Sequence, residues 1–252
     1  MKTTRRVNLK GLLKLVLSFI LTSGLMMNLS AGTKKNPNSL RKPIKVLIVG
    51  GNASHDFQKW YKEVDAATLE RNGLAEVTYT EDTDNIKDYL DTIDVLFLSN
   101  NKPINDIATR EAIFAFADAG KGIIIAHAGM WYSWRDWPEY NKELVSGGSR
   151  GHNKYGNFNV DLTDKKHPVT KGVPAHFSLD DELYYQKVDP AGPGIEVLAN
   201  ASTEGSEVFP SVFIVKHPKA KIVGIALGHD AASHELEAYQ TLIRNAVKWA
   251  AK

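Results

Sequence analysis

The chain has 252 residues, 43% of them hydrophobic and 24% charged, with a formal net charge of +2 and no cysteine. That composition belongs to an ordinary globular protein with enough chain for a sizeable core. The lack of cysteine excludes disulfides, lipidation at a lipobox and any thiol nucleophile.

Residues 1–31 read as a signal peptide. Lys2, Arg5, Arg6, Lys10 and Lys14 form a basic region without an acid, an apolar run follows over 15–27, and small residues stand at Ser30, Ala31 and Gly32, any of which suits cleavage. The run is shorter than the roughly 20 residues a spanning helix needs and is broken by Ser18, Thr22, Ser23 and Gly24, so a secreted or periplasmic protein with no stable membrane anchor after cleavage is expected. Without those five positive charges the balance falls from +2 to −3. The basicity therefore belongs to the signal, and nucleic acid is not an expected partner. Residues 32–43, with Pro37 and Pro43, read as a linker, and one α/β domain is expected over 44–252.

Within that domain, Lys45, Val46, Leu47, Ile48 and Val49 form a buried strand that runs into Gly50-Gly51 and on to His55. No Gly-x-Gly-x-x-Gly or Walker pattern follows, which argues against a nucleotide cradle. The spacing of Trp60, Val64, Ala67 and Leu69 predicts a helix over 57–72, stopped at Gly73. Strands are predicted over 76–80 and 94–99, the second leading into Asn101, then a helix over 106–119 capped by Asp106 and stopped by Gly120. The apolar run Ile123-Ile124-Ile125 suits a central strand covered on both faces, with His127 where it ends. This alternation predicts a mostly parallel sheet with right-handed crossovers and helices on both faces.

Beyond His127 the pattern changes. Trp131, Tyr132, Trp134, Trp137 and Tyr140 crowd into ten residues, suiting either a sugar-stacking wall or a lid that buries its own aromatics. The glycine-rich stretch 147–152, ending at His152, reads as a flexible loop. Residues 158–162 alternate as an antiparallel strand, further strands are predicted over 195–199, 212–215 and 222–227, and an amphipathic helix over 236–251 closes the chain.

His55, His127 and His229 each stand where a separate predicted strand runs out at the carboxyl edge, the place where open α/β sheets bind ligands. Strands lie about 4.8 Å apart, so these imidazoles can converge on one ion. A divalent metal is the expected cofactor, zinc before iron or copper, and Glu182 could complete an open site. Hydrogen-bonded structural histidines are the alternative. His152 can reach the cluster from its loop, Glu182 suits general acid/base work, and Tyr184 suits either substrate orientation or packing. Asn101, Trp131, Tyr132 and Trp134 are candidates for substrate contact. Asp180 and Asp181 suit the capping of a local turn. His167, His176, His217 and His234 lie in turns or polar segments and are expected to be solvated.

Six motifs then carry a resemblance: Gly-Gly-x-x-x-His-Asp-Phe at 50–57, Ala-His-Ala at 126–128, Gly-Gly-x-x-Gly-His at 147–152, His-Pro-Val-Thr-Lys-Gly at 167–172, Asp-Glu-Leu-Tyr at 181–184 and Gly-His-Asp at 228–230. In this order and over nearly the whole domain, the chain resembles the ThuA-like, or trehalose-utilisation, family. The resemblance implies the class I glutamine amidotransferase-like fold, a flavodoxin-like sheet whose elbow after a central strand normally carries a nucleophilic cysteine. His127 holds the comparable place here, which rules out amidotransferase or thiol hydrolase chemistry. It further implies a role in carbohydrate metabolism, often beside oxidoreductases that make 3-keto sugars.

The expected activity is metal-dependent breakdown of a sugar or 3-keto-glycoside by elimination, hydrolysis or isomerisation, with Glu182, His152 and Tyr184 as the catalytic candidates. An exported carbohydrate-binding or accessory protein without catalysis is the alternative. Homo-oligomer formation stays open.

Overall fold

Strand registers decide which side chains reach the sheet's carboxyl edge. The computed structural model describes residues 42–131 and 135–252; the signal, the linker as far as Arg41, Tyr132 and Trp134 lie outside the described residues. The strands in chain order are β1 (Ile44–Val49), β2 (Ala75–Thr80), β3 (Val95–Leu98), β4 (Gly122–Ala126), β5 (Gly147–His152), β6 (Gly156–Leu162), β7 (His176–Asp181), β8 (Tyr184–Val188), β9 (Ile195–Ser202), β10 (Phe209–Val215) and β11 (Lys221–Ile225). The main sheet has the order β2-β1-β3-β4-β11-β10-β9-β6-β7. Its β2, β1, β3, β4 and β11 are mutually parallel, and the remaining four extend it as an antiparallel wing.

Continuous apolar runs give this sheet two buried faces. In β1, Val46 and Ile48 belong to one core, with Tyr61, Leu69, Leu242 and Val247, whereas Leu47 and Val49 belong to the other, with Ile113, Phe116 and Ala117. The first core is covered by α1 (Ala66–Glu70), which continues wide π-type turns over Gln58–Asp65, and by the final helix. The second is covered by α2 (Ile107–Asp118), whose cap Asp106 accepts from Thr109 N at 2.8 Å. A one-turn helix α3 (Ala231–His234) precedes the closing α4 (Glu237–Ala250). Each fully buried Leu, Ile or Val contributes about 1.5–3 kcal/mol, so a slip of one residue in any central strand is strongly opposed. The carboxyl ends of β4 and β11 are thereby held side by side, with β3 between β4 and β1, near His55, His127 and His229.

The stretch 147–152 departs from expectation. It is the strand β5, paired antiparallel with β8 in a separate two-stranded sheet. Gly147, Gly148 and Gly151 take φ of +143°, +149° and +145°, and a Cβ on Gly147 would collide with the Lys187 carbonyl. Glycine permits this close pairing but supplies no apolar alternation, so the strand leaves no periodic signal. Among the described residues, no helix is long and apolar enough to cross a membrane.

Candidate functional site

The turn after β4 forces His127 into φ +40°, the left-handed region that disfavours a side chain. The strain aims the ring along the sheet edge, where it is fully buried. Its Nδ1 faces the Ala226 carbonyl oxygen at 2.8 Å and so donates, which leaves Nε2 as a lone-pair donor. Tyr184 stacks on the ring with centroids 4.5 Å apart. His55, on the turn after β1, presents Nε2 to His127 Nε2 at 3.0 Å, while its Nδ1 lies 2.7 Å from Ser54 Oγ. Donation from Nδ1 to Ser54, which in turn donates to Asn101 Oδ1 at 3.1 Å, leaves His55 Nε2 likewise free. Burial, followed by the charges of His127 and His229, pushes the His55 pKa down to about 3, so this ring is neutral.

Glu182 and His229 close the cluster. Glu182 Oε2 lies 3.5 Å from His127 Nε2 and 3.4 Å from His229 Nδ1. The second contact lacks hydrogen-bond alignment, so among the described residues His229 Nδ1 is a buried nitrogen without a full partner. Burial works to raise the Glu182 carboxyl, but the contacts with His127 and His229 outweigh it and hold the group well below the usual carboxylate range. The glutamate contact raises the His229 pKa against the opposing effect of burial.

One ligand atom from each of His55, His127, Glu182 and His229 lies within 4.8 Å of the others. Tetrahedral zinc with bonds of about 2.1 Å has ligand-to-ligand edges of about 3.4 Å. Three of the six edges, at 3.0, 3.4 and 3.5 Å, are close to that value, and none exceeds 4.8 Å. Together with the unpartnered His229 nitrogen and the backbone-fixed His127 tautomer, they fit a nitrogen-rich divalent site with one carboxylate.

A cavity of about 420 Å³ reaches this cluster at His55 and Glu182 and is lined besides by Ser54, Asn101, Pro103, Trp131, Asp136, His152 and Tyr184. His152, with its Nδ1 directed at Asn153 O at 2.7 Å, stands 3.7 Å from Glu182 Oε1. Tyr184 is nearly fully buried, and burial with the Glu182 and Asp181 charges pushes its pKa well up despite the Trp131 hydrogen bond, so it stays a neutral phenol. Of the candidates for substrate contact, Asn101 and Trp131 line the cavity; Tyr132 and Trp134 lie outside the described residues.

Two features escape the sequence reading. Asp181 caps no mere surface turn: it is fully buried, and its carboxylate accepts from Glu182 N at 2.6 Å, Gly228 N at 2.9 Å and Ser233 Oγ. His234, expected in solvent, is fully buried too, because Nδ1 meets Asp65 Oδ1 at 2.8 Å and Nε2 meets Gly228 O at 3.0 Å. Tyr61, Asp65 and Leu69 are spaced four apart, so Asp65 stands on the buried face of its helix, and that spacing was the available signal. Elsewhere His176 is exposed and pairs with Asp161, and His167 packs beside Trp249.

The sequence profile of the ThuA family, described as trehalose utilisation, matches residues 45–250. A ThuA-like protein from Parabacteroides merdae superposes with a TM-score of 0.73 at 24% identity, covering 84% of this chain and 91% of that one. Another from Bacteroides uniformis gives 0.72 at 22%, covering 85% and 95%. A cytoplasmic protein from Salmonella typhimurium gives 0.59 at 13%, covering 83% and 100%. No curated protein matches the chain.

Proposed function

This chain belongs to the ThuA, or trehalose-utilisation, family, and on that premise we propose that it is an exported, metal-dependent enzyme that breaks down a sugar or 3-keto-glycoside. The family gives the carbohydrate-related role. The observation that carries the rest is the set His55, His127, Glu182 and His229, whose ligand atoms lie within 4.8 Å of one another and of which His55 and Glu182 line a cavity.

A divalent ion held by these four side chains would supply Lewis-acid polarisation of a carbonyl or hydroxyl oxygen. The chain's own groups supply the rest. Trp131 offers an aromatic ring for the CH side of a sugar, and Asn101 and Ser54 offer hydrogen-bonding groups in the same cavity lining. Glu182 turns Oε2 to the histidines and Oε1 toward His152. His152, held through Nδ1 by the Asn153 carbonyl, has its other nitrogen left for proton transfer with substrate. Tyr184 keeps its proton and so does not act as a base. Elimination, hydrolysis and isomerisation share this demand for one polarised oxygen and one mobile proton.

The test is elemental analysis of the mature protein, purified without chelator or affinity metal, beside a His127→Ala/His229→Ala variant. Near-stoichiometric zinc, manganese or iron that disappears in the variant is the expected result. Calorimetric sugar titration with and without EDTA separates catalysis from simple binding: affinity indifferent to chelator, with no product on long incubation, would favour a carbohydrate-binding protein and sink the enzymatic reading.

A further inference from the structure

We infer that Asp181 is a positioning residue that sets Glu182 and His229 against each other, acting through backbone amides and touching no substrate. The inference rests on the reading of the cluster as a metal centre. It starts from placement. Asp181 is the last residue of β7, on the antiparallel wing, whereas His229 follows β11 in the parallel core and α3 follows His229. No strand pairing joins β7 to β11 in the sheet order. The Asp181 carboxylate makes that connection: Oδ1 accepts from Glu182 N at 2.6 Å, and Oδ2 accepts from Gly228 N at 2.9 Å and from Ser233 Oγ.

Each clamped amide adjoins a residue of the cluster. The Glu182 amide belongs to the carboxylate ligand itself, and Gly228 immediately precedes His229. Gly228 is held from its other side as well, since its carbonyl oxygen accepts from Tyr61 Oη at 2.8 Å and lies 3.0 Å from His234 Nε2. Gly228 itself has φ +134°, and a Cβ there would stand 2.7 Å from Tyr61 Oη and 3.3 Å from His127 Cβ. The two peptide units flanking the Gly228 Cα are therefore both fixed, and Asp181 is the member of that arrangement which also grips Glu182. Asp181 Oδ1 lies 4.0 Å from His127 Nδ1, a distance at which it faces the third ring without bonding to it.

An asparagine cannot reproduce this. Its side chain has one acceptor oxygen, so either the Glu182 or the Gly228 N–H would face an amide NH₂ and lose its partner in a buried place. Outer partners of metal ligands typically govern affinity by tenfold to a hundredfold.

The probe is cobalt(II) alone, added to chelator-stripped mature protein, read by competition titration for Kd and by visible absorption for ligand geometry, with circular dichroism and Tm alongside. Wild type is expected to bind with a well-defined spectrum. Asp181→Asn should weaken Kd by tenfold to a hundredfold and change the spectrum; Ser233→Ala, which leaves the carboxylate and both backbone bonds, should weaken it less and move the spectrum in the same direction. A merely structural Asp181 would lower Tm and leave the Kd and spectrum of folded protein untouched. Wild type that binds no cobalt overturns the metal reading and this inference with it. Wild type that binds, beside a folded Asp181→Asn of unchanged Kd and spectrum, overturns the positioning role alone; should that variant not fold, unchanged values in Ser233→Ala do the same.

Discussion

Replacing His234 with leucine should destabilise the fold by about 3–5 kcal/mol, the range for removing one partner of a buried ion pair. His234 and Asp65 are both fully buried, and each imidazole nitrogen meets an acceptor: Asp65 Oδ1 at 2.8 Å and Gly228 O at 3.0 Å. Trp60 stacks over the ring at 5.7 Å, and Tyr61 and Tyr239 present edges at 4.7 and 5.0 Å. Leucine fills much of the same volume but donates nothing, leaving Tyr239 Oη, at 3.0 Å, to donate to the Asp65 carboxyl. For a domain of this size each kcal/mol moves Tm by about 2–4 °C, so a fall of roughly 6–20 °C is expected. Urea denaturation of the single variants and of Asp65→Leu/His234→Leu completes the cycle; the double variant should be more stable than the sum of the singles, because no buried charge is left alone.

The same pair gives a pH signature. Burial lowers the His234 pKa, but the charge and hydrogen bond of Asp65 and the Gly228 carbonyl raise it further, to a net value above the ordinary 6.5. Protons are then bound more tightly by the folded state. The stabilisation is complete below about pH 6.5 and is lost as pH rises through the folded-state value, with a slope of at most about 1.4 kcal/mol per pH unit for one group. Wild type measured from pH 6 upward should show this component, and His234→Leu should lack it. A single variant that costs less than about 1 kcal/mol, or a pH profile identical to that of wild type, would refute the argument.

Other outcomes follow from the cluster and its supports. His127→Ala and His229→Ala should each lose bound metal in elemental analysis while retaining a wild-type circular dichroism spectrum, because both rings stand at turns beyond the strands. Metal affinity should weaken as pH falls through the histidine range, since the raised His229 pKa means a proton competes for the ligand nitrogen; calorimetry in buffers of different ionisation enthalpy should register proton release on binding. Gly129→Ala would bring a Cβ to 2.5 Å from the Leu98 carbonyl oxygen, and a loss of about 1–3 kcal/mol in urea melts is expected for such overpacking. Trp131→Ala should weaken sugar affinity in calorimetric titration and leave the metal content unchanged.

The parallel half of the fold was legible because its strands are unbroken apolar runs buried on both sides, which nothing but a covered central sheet accommodates. The approach of three strand-end histidines followed from that topology alone, before any side-chain detail. Other parts were hidden for physical reasons. β5 is built on glycines, so its pairing rests on backbone closeness and not on alternation. Asp65 and His234 are 169 positions apart in the chain, and a polar residue whose partner is that distant looks like any surface residue. Asp181 stands beside another acid, and only the return of the chain at Gly228 and Ser233 distinguishes its environment from that of Asp180, which is exposed and accepts from Asn157.

His127 connects the fold to its chemistry. A non-glycine residue held at positive φ carries strain of about 1–3 kcal/mol and persists when its surroundings over-determine it. Here the Ala226 carbonyl fixes one nitrogen, Tyr184 covers the ring face, and Gly129, lying against the Leu98 backbone, lets the turn stay tight. In the fold this chain shares, the elbow holds a side chain at the sheet's carboxyl edge with its reactive atom facing outward. That geometry serves a nucleophilic thiol because it exposes one atom and constrains the rest. An imidazole placed there gains the same advantage as a ligand: Nε2 is presented in one direction and one tautomer, before any ion arrives. On the proposed reading, the strain at His127 would do for coordination what it would do for nucleophilic attack, and one scaffold could then exchange covalent catalysis for a metal centre with little change in its backbone.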